Sequence, residues 1–253
     1  MMIDVFKDKN VMIIGASSGI GEQTARLVNQ YGGKTILISR NIDKLCEIKN
    51  ELGEKSCCAY EMDISDLNNI GLKIASIISE TGPLDGLVYS AGVSRFTPIA
   101  QAKPEIMQNV FNTNFFGFVE CVRQVSRKGR FNPGLRVVGV SSVSSFHGNK
   151  ARIAYCSSKA AMNSAVQCMA LELSKKGICV NAVAPSLTNT NMFKAWLENS
   201  DENAEAVNNL LSRQYLGVAE PLDIANAIVY LLSPQARFIT GITLPVDGGA
   251  TTS

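Results

Sequence analysis

Residues 10–21 read N-V-M-I-I-G-A-S-S-G-I-G, and a segment with helical periodicity follows them. The apolar run from Asn10 to Ile14 is typical of a strand that is buried on both faces of a parallel sheet. Gly15, Gly19 and Gly21 then allow the backbone to approach a ligand, and the next helix begins with free N–H groups that attract an anion. A phosphate-binding strand-turn-helix unit is therefore predicted. The spacing G-x-x-x-G-x-G differs from the common dinucleotide fingerprint, so a glycine turn without a ligand stays an alternative.

Alternating apolar and amphipathic segments continue to the carboxyl terminus, which predicts an α/β fold of the Rossmann type. The expected architecture is a doubly wound, seven-stranded parallel sheet with helices on both faces. At 253 residues, with no low-complexity linker, residues 1–253 are predicted to form a single domain. Residues 188–212 are polar, rich in asparagine and irregular in pattern, and we expect them to form a mobile lid over the site. Further strands are predicted at 35–39, 57–62, 87–89, 135–140, 179–184 and 241–246, with helices at 42–52, 67–80, 154–177, from Pro104 to the basic stretch at 123–130, and from Pro221.

The composition excludes several classes of protein. A net charge of +2 is too weak to favour nucleic acid or an anionic membrane as the main partner. The charged amino terminus and the four apolar residues after it predict neither a signal peptide nor a membrane span. The seven cysteines are odd in number and lack C-x-x-C spacing, which argues against disulfides and against a zinc site. Reduced thiols, a cytoplasmic protein and no metal are expected.

Tyr155 and Lys159 are candidates for proton transfer. Four positions apart on a helix, they lie on one face, one turn from each other. A free phenol has a pKa of about 10, and a cation ~4 Å away at an effective dielectric of ~20 supplies the ~4 kcal/mol needed to bring it near 7. An ordinary pair on a helix surface is the alternative when the two residues are taken alone.

The end of the second strand carries Ser39 and Arg40 where dinucleotide folds read the adenosine ribose. An acid at this point binds the 2′-hydroxyl of NAD, whereas an arginine accommodates the 2′-phosphate of NADP. Arg40 therefore favours NADP, with NAD less favoured. Asp43 lies nearby, so NAD and a solvated arginine both stay open.

From end to end, the chain resembles the short-chain dehydrogenase/reductase superfamily in its single-domain form. It is similar in particular to 3-oxoacyl-[acyl-carrier-protein] reductases towards its carboxyl terminus. The matching motifs, in the family's order, are the G-A-S-S-G-I-G turn, Y-S-A-G after the fourth strand, the helix with Asn114, Ser142 with Tyr155-x-x-x-Lys159, N-A-V-A-P-S, and F-I-T-G-I-T-L-P-V-D-G-G.

The resemblance implies roles for four catalytic residues. Tyr155 would protonate the carbonyl oxygen, or accept the proton in the oxidative direction, and Ser142 would polarise that oxygen. Lys159 would lower the pKa of Tyr155 and hold the nicotinamide ribose. Asn114 would keep its helix kinked and help to order a water. For the cofactor, the resemblance implies Gly15, Ser17, Ser18, Gly19, Ile20, Ser39, Arg40, Asp63, Ile64, Ser90, Ala91, Gly92, Tyr155, Lys159, Pro185, Thr188 and Thr190.

Departures from the family's pattern concern the cofactor end. Ser18 stands where many NADP enzymes have a second basic residue, so phosphate binding would depend more on Arg40. Ser90 replaces a frequent asparagine, and Ile14 a frequent threonine. Ser186 replaces the usual glycine after Pro185 and is expected to narrow the nicotinamide end or the substrate entrance.

The expected activity is NADPH-dependent reduction of a ketone or other carbonyl, with a 3-oxoacyl thioester as one candidate. Oxidation of an alcohol, sugar or steroid, and a dinucleotide-binding regulator without catalysis, are the alternatives. A largely apolar substrate is expected from the candidate pocket residues, which are Ser94, Phe96, His147, Met192, Phe193 and Trp196.

Partner proteins are also implied by the resemblance. An acyl carrier protein would dock on basic residues that are otherwise solvated charges, namely Arg123, Arg127, Lys128, Arg130, Lys175 and Lys176. The resemblance also implies a homo-oligomer, a tetramer or dimer, using the helix face of Ala160, Met162, Ala165, Val166 and Met169; packing inside one subunit explains that face equally well.

Overall fold

Seven parallel strands form one sheet in the computed structural model, which describes residues 4–198 and 211–252. The strand order is β3-β2-β1-β4-β5-β6-β7, and every neighbouring pair is parallel. The predicted fold class is thereby confirmed. The strands are β1 Asn10–Ile14, β2 Lys34–Ser39, β3 Cys57–Glu61, β4 Leu84–Tyr89, β5 Phe131–Val140, β6 Cys179–Pro185 and β7 Thr243–Val246.

Helices cover both faces of this sheet. Alternate side chains of β1 show why: Val11 and Ile13 pack with α1, α2 and α8, whereas Met12 and Ile14 pack with α3, α5 and α6. Two apolar layers therefore hold one sheet between them. The helices are α1 Gly19–Gln30, α2 Ile42–Leu52, α3 Leu67–Thr81, α4 Pro104–Phe111, α5 Gly117–Val125, α6 Ile153–Leu173, α7 Asn191–Glu198 and α8 Pro221–Leu232.

The chain changes direction across the sheet at β1, which pairs with β2 on one side and with β4 on the other. In a doubly wound sheet, ligands bind at such a switch point, outside the carboxyl ends of the strands. The glycine turn after β1 and the loops after β4, β5 and β6 all lie at that edge. This topology brings together residues that are far apart in the sequence.

Several predicted elements differ from the structure. β4 and β5 begin three and four residues before their predicted starts at 87 and 135, and β7 begins two residues after 241. The helix from Pro104 contains a π-helical segment, Asn112–Phe116, between α4 and α5. The helix predicted over 154–177 ends at Leu173 and continues as a 3-10 turn, Ser174–Lys176. The lid expected over 188–212 to be irregular contains the helix α7. The hydroxyl oxygen of Thr190, just before α7, accepts a hydrogen bond from the amide of Phe193 in its first turn at 3.3 Å. The lid's remaining part, 199–210, lies outside the described residues.

The sequence left open whether the helix face of α6 packs between subunits or inside one, and part of this face is buried inside this subunit. Met162 and Val166 are fully buried in the layer under α6, and Met169 packs against the same layer. Only Ala160 of that set is exposed. Packing within one subunit, the second of the two explanations, accounts for this face.

Over the described ranges 4–198 and 211–252, no helix has the length and apolar character needed to cross a membrane.

Candidate active site

The turn after β1 is built so tightly that side chains have no room. Gly15 has φ +84°, and a Cβ placed on it would lie 2.6 Å from the amide nitrogen of Ala91. A Cβ on Gly21 would collide with the main-chain oxygen of Gly15. Ser18, just before α1, is extended and its side chain makes no capping hydrogen bond. The turn therefore leaves a smooth backbone cradle at a helix start, which fits a pyrophosphate.

A cavity of about 1580 Å³ runs along the carboxyl edge of the sheet. This exceeds the roughly 300–1,000 Å³ of ordinary small-ligand sites, as an extended dinucleotide together with a substrate requires. Ser142 lines the cavity, whereas Asn114 does not. Every residue named above for the cofactor lines it: Gly15, Ser17, Ser18, Gly19, Ile20, Ser39, Arg40, Asp63, Ile64, Ser90, Ala91, Gly92, Tyr155, Lys159, Pro185, Thr188 and Thr190.

At one end of the cavity, Arg40 lies exposed directly after β2. Asp63 follows β3 at the same end, and hydrogen bonds donated by Ser65 lower the pKa of its carboxyl group, with a smaller contribution from the charge of Arg40. Asp43 lines this end too. The adenosine end expected from the sequence thus offers one cation and two carboxylates.

Ser142, after β5, and Tyr155, in α6, line the part of the cavity beyond the switch point. Ser142 begins a 3-10 turn, and its Oγ accepts from the amide of Ser144 at 3.1 Å. Burial raises the pKa of Tyr155, while a hydrogen bond with Ser142 and the charge of Arg152 act in the opposite direction. The phenol is therefore protonated at neutral pH. The predicted lowering of its pKa by Lys159 is wrong, because burial dominates and the counteracting charge is that of Arg152.

Lys159 is buried, with 3% of its surface exposed. Its Nζ donates to the main-chain oxygen of Val140 at 2.7 Å and lies 5.9 Å from the centre of the Tyr155 ring. Burial lowers the pKa of Lys159 to about 8. The ammonium thus titrates close to neutral pH, as a group that exchanges protons requires.

Asn114 is buried within the π-helical segment and holds the loop after β4. Its Oδ1 accepts from the amide of Val93 at 2.8 Å, and its Nδ2 donates to the main-chain oxygen of Val93 at 2.9 Å. Nδ2 also donates to Ser158 Oγ at 3.0 Å. Single π-helical turns are frequent at functional sites, and this one aims Asn114 at the loop rather than into the cavity. Asn114 is accordingly a positioning residue.

Ser186 has a buried hydroxyl with no hydrogen-bond partner in the described part of the chain. It lines the cavity between Pro185 and Leu187, where the family usually has glycine. An orphaned buried hydroxyl is costly unless a ligand satisfies it. Together with the glycine cradle, this observation indicates that the residues present fit a nicotinamide dinucleotide.

The sequence-based pocket candidates are divided by the structure. Phe96, Met192 and Phe193 line the cavity, whereas His147 does not. Ser94 does not line it either, but its Oγ accepts a hydrogen bond from Arg152 at 2.7 Å. The side chain of Trp196 lies outside the described residues.

Sequence reasoning missed Arg152 and two further cations of the lining, Lys150 and Arg213. The signal for Arg152 was available, since it stands three residues before Tyr155 at the start of the same helix. Arg213 offered no such signal, because it reaches the cavity through the segment beyond the lid.

The basic residues considered for carrier docking lie away from this cavity. Arg123, Arg127 and Arg130 line a separate depression of about 500 Å³ between α3 and α5. Arg123 forms an ion pair with Glu120 at 2.6 Å, and Lys176 Nζ donates to the main-chain oxygen of Ser126 at 3.0 Å. Most of these charges therefore serve local contacts.

Within residues 4–198 and 211–252, no three His, Cys, Asp or Glu side chains cluster as metal ligands would.

Similar proteins point to one family. Residues 15–251 match the family described as Enoyl-(Acyl carrier protein) reductase. The chain is 32% identical over 248 residues to the 3-oxoacyl-[acyl-carrier-protein] reductase of Rickettsia bellii, covering 98% of each chain. It is 34% identical over 253 residues to the glucose 1-dehydrogenase of Gluconobacter oxydans, covering 98% of this chain and 94% of that one.

Among solved structures, a short-chain type dehydrogenase/reductase from Mycobacterium ulcerans superposes with a TM-score of 0.88 at 28% identity, covering 97% of this chain and 90% of that one. The family match spans nearly the whole chain, and the relatives match it at full length. The chain belongs to the short-chain dehydrogenase/reductase family of oxidoreductases.

Proposed function

We propose that this protein reduces a carbonyl compound to an alcohol with NADPH. The observation that carries the proposal is the meeting of two hydroxyls and a buried ammonium, from Ser142, Tyr155 and Lys159, in the same cavity as the glycine cradle. A proton donor and a dinucleotide site in one cavity are the parts that carbonyl reduction needs.

Each of the chain's residues has a separate task in the reaction. When bound along the cavity, NADPH would supply the hydride for the carbonyl carbon. Tyr155 donates its phenolic proton to the carbonyl oxygen, and the hydroxyl of Ser142 stabilises the negative charge that develops there. Lys159, with its pKa lowered to about 8, returns a proton towards Tyr155. Burial raises the pKa of Tyr155, so the phenol holds the proton that reduction of a carbonyl consumes.

A preference for NADPH over NADH is proposed because of the charged residue at the end of β2. Arg40 lines the cavity there, and a 2′-phosphate would pair with its guanidinium. Asp43 and Asp63 lie nearby and weaken this preference by repelling the phosphate. Arg40 is accordingly the residue on which NADP specificity depends.

A 3-oxoacyl thioester carried on an acyl carrier protein is one candidate substrate. The Rickettsia relative, a 3-oxoacyl-[acyl-carrier-protein] reductase, supports it. The position of Arg123, Arg127 and Arg130 in a separate depression weighs against carrier docking on those residues.

Oxidation of an alcohol or sugar is the second candidate, and one observation favours it. The Gluconobacter relative is a glucose 1-dehydrogenase and is as similar to this chain as the reductases are. A regulator that binds the cofactor without catalysis is the third candidate, and the complete set of Ser142, Tyr155 and Lys159 speaks against it.

We further propose a single domain over residues 1–253 that assembles as a homo-oligomer in the cytoplasm, without nucleic acid or membrane partners. All seven cysteines lie in the described part of the chain as free thiols, which supports a reducing compartment.

The experiment that tests the proposed function is side-by-side consumption of NADPH and NADH with a panel of carbonyls that includes a 3-oxoacyl thioester. We expect turnover with NADPH that falls by about 10²–10⁴ in Tyr155→Phe, while the affinity for NADPH is retained. Preference for NADH would contradict the cofactor assignment. Oxidation of alcohols without reduction of any carbonyl would support the second candidate, and binding without turnover in either direction the third.

A further inference from the structure

A third polar residue, Asn163, shares the helix face that carries the proton-transfer pair. Tyr155, Lys159 and Asn163 follow one another at intervals of four positions along α6, which places them on one side of the helix. Asn163 is half-buried, and it is not among the described residues that line the cavity. Its neighbours Met162 and Val166 pack in the apolar layer under α6. An amide beside such a layer is costly unless it is hydrogen-bonded, so its partners indicate why it is there.

The side-chain amide of Asn163 bonds to serines on both sides of Ser142. Its Oδ1 accepts a hydrogen bond from the hydroxyl of Ser141 at 2.6 Å, and its Nδ2 donates to the hydroxyl oxygen of Ser145 at 2.7 Å. Ser141 is the residue before Ser142, and Ser145 ends the 3-10 turn that Ser142 begins. One side chain of α6 therefore holds the turn after β5 at its start and at its end.

Ser145 connects this amide to the main chain of Ser142. The amide of Ser145 donates to the main-chain oxygen of Ser142 at 3.0 Å, and the hydroxyl of Ser145 donates to the same oxygen. The hydroxyl oxygen of Ser142 in turn accepts from the amide of Ser144 at 3.1 Å, which leaves its own proton for the phenol of Tyr155 or for a carbonyl oxygen. The orientation of the Ser142 hydroxyl thus depends on a turn that Asn163 holds in place.

We propose that Asn163 is a positioning residue that sets the hydroxyl of Ser142 against the phenol of Tyr155. It attaches the turn that carries the hydroxyl to the helix that carries the phenol, so one side chain fixes the separation of the two groups. This inference rests on the proposed function, in which both groups act on the same carbonyl oxygen. Donors that are already in place need no rearrangement during the reaction, and a misplacement of about 1 Å costs about a hundredfold in rate.

Asn163→Ala should lower kcat by about ten- to a hundredfold while the affinity for NADPH is retained, because the turn after β5 loosens and the glycine cradle does not. Asn29→Ala is the matched control. Asn29 is also a half-buried asparagine on a helix, and its Nδ2 donates to the hydroxyl oxygen of Ser56 at 2.9 Å, but it belongs to α1. Its kcat, measured well below the unfolding temperatures of both variants, should equal that of the native protein. An equal loss in both variants, or no loss in Asn163→Ala, would overturn the proposal.

A double-mutant cycle shows whether Asn163 acts through Ser142. In Ser142→Ala there is no hydroxyl left to misplace, so adding Asn163→Ala should lower the single-turnover rate little further. Losses that multiply would mean that Asn163 serves another group, and would reject the proposal. Ser145→Ala breaks the connection at its other end and should also lower kcat with NADPH affinity retained. That variant tests the proposal even if Asn163→Ala folds poorly, since native kcat in Ser145→Ala would contradict it.

A measurement without turnover separates this inference from the proposed function. In the cofactor-free protein a hydrogen bond with Ser142 already acts to lower the pKa of Tyr155. NMR of tyrosine labelled with ¹³C at Cζ reports such bonds, and the signal of Tyr155 is the one of six that Tyr155→Phe removes. Asn163→Ala should move this signal in the same direction as Ser142→Ala does, and Asn29→Ala should leave it in place.

The two hypotheses then fail in different ways. An unmoved Tyr155 signal in Asn163→Ala would overturn the positioning role even if the native protein reduces carbonyls. A moved signal, together with no reduction of any carbonyl by the native protein, would support the contact between Asn163 and the Ser142 turn and reject the reductase.

Discussion

The ammonium of Lys159 lies 5.9 Å from the centre of the Tyr155 ring and donates a hydrogen bond to the main-chain oxygen of Val140. Burial, rather than a neighbouring charge, sets the pKa of this lysine at about 8. Because Tyr155 keeps its proton and Lys159 loses one readily, the proposed mechanism gives the two residues different tasks: the phenol would deliver the proton, and the amine would exchange the next.

Lys159 should make the stability of the cofactor-free protein depend on pH. Its pKa is lowered to about 8 from 10.5 in the unfolded chain, so between these values the unfolded state binds more protons and stability rises with pH. Between pH ~7.5 and pH ~9.5 the gain is about 2 kcal/mol. Denaturant unfolding at the two pH values measures it. In Lys159→Met this part of the rise should be absent; an equal rise in both proteins would assign it to other groups.

Gly15→Ala should abolish cofactor binding and destabilise the fold. Its φ of +84° strains any other residue, and the added Cβ would lie 2.6 Å from the amide nitrogen of Ala91. Gly129 has the same φ of +84° with nothing within 4 Å of a Cβ, so Gly129→Ala carries the conformational cost alone, about 1–2 kcal/mol. Thermal unfolding and NADPH titration of both variants separate the strain from the collision. Equal losses in the two variants would show that the close approach to Ala91 is unimportant.

The residues that line the cavity were predicted from the sequence where local patterns coincide with sheet topology. Gly15, Ser90, Ser142 and Pro185 each follow an apolar strand, and parallel strands bring their carboxyl ends to one edge. Contacts between distant segments have no such signal. The bond of Arg152 to Ser94 spans 58 positions, and local periodicity does not encode it.

Side-chain environments were equally hard to predict. Spacing placed Lys159 one turn from Tyr155, but the hydrogen bond to Val140 and the burial that dominate both pKa values depend on packing against β5. The resemblance predicted a kinked helix at Asn114, and the structure has a π-helical turn there, a form that the apolar pattern alone did not specify.

Arg40→Gln should change the choice of cofactor. Loss of the guanidinium would remove the proposed charged partner of the 2′-phosphate, so KM for NADPH should rise about ten- to a hundredfold while KM for NADH stays within a few fold. Lys44→Gln removes the same charge from the adjoining helix, where the side chain of Lys44 is partly exposed and pairs with Glu47 at 2.7 Å. Steady-state kinetics with both cofactors provide the measurement. If Lys44→Gln loses as much NADPH affinity as Arg40→Gln, the preference for NADPH depends on the overall positive electrostatic potential near the site and not on a specific contact with Arg40.

Ser186→Ala should stabilise the cofactor-free protein and weaken the binding of NADPH. Its hydroxyl is buried and has no partner among residues 4–198 and 211–252, so removing it relieves about 1 kcal/mol of desolvation cost. Ser233→Ala is the control: that hydroxyl is buried and donates to the main-chain oxygen of Tyr230 at 2.7 Å, so its loss should destabilise. The free energies of unfolding of the two variants show whether each substitution stabilises or destabilises the protein, and fluorescence titration gives the affinity for NADPH. Destabilisation by Ser186→Ala would mean that its hydroxyl already has a partner.

Asn114→Ala should lower turnover as well as stability. Three hydrogen bonds are lost, and both main-chain groups of Val93 lose their partner, at a cost of about 2 kcal/mol or more. Because Ser94 follows Val93 and holds Arg152, the loosened loop should also misplace groups beside Tyr155, and kcat should fall more than tenfold.

Asn181 supplies the comparison that separates these two effects. It is equally buried, in β6, where its Nδ2 donates to the main-chain oxygen of Ile239 at 2.9 Å and its Oδ1 accepts from the amide of Ile242 at 3.2 Å. Asn181→Ala should therefore cost a similar free energy of unfolding while kcat, measured well below the unfolding temperature, stays near that of the native protein. If both variants lose turnover in proportion to their stability, Asn114 acts on the fold alone; a loss confined to Asn114→Ala identifies it as a positioning residue.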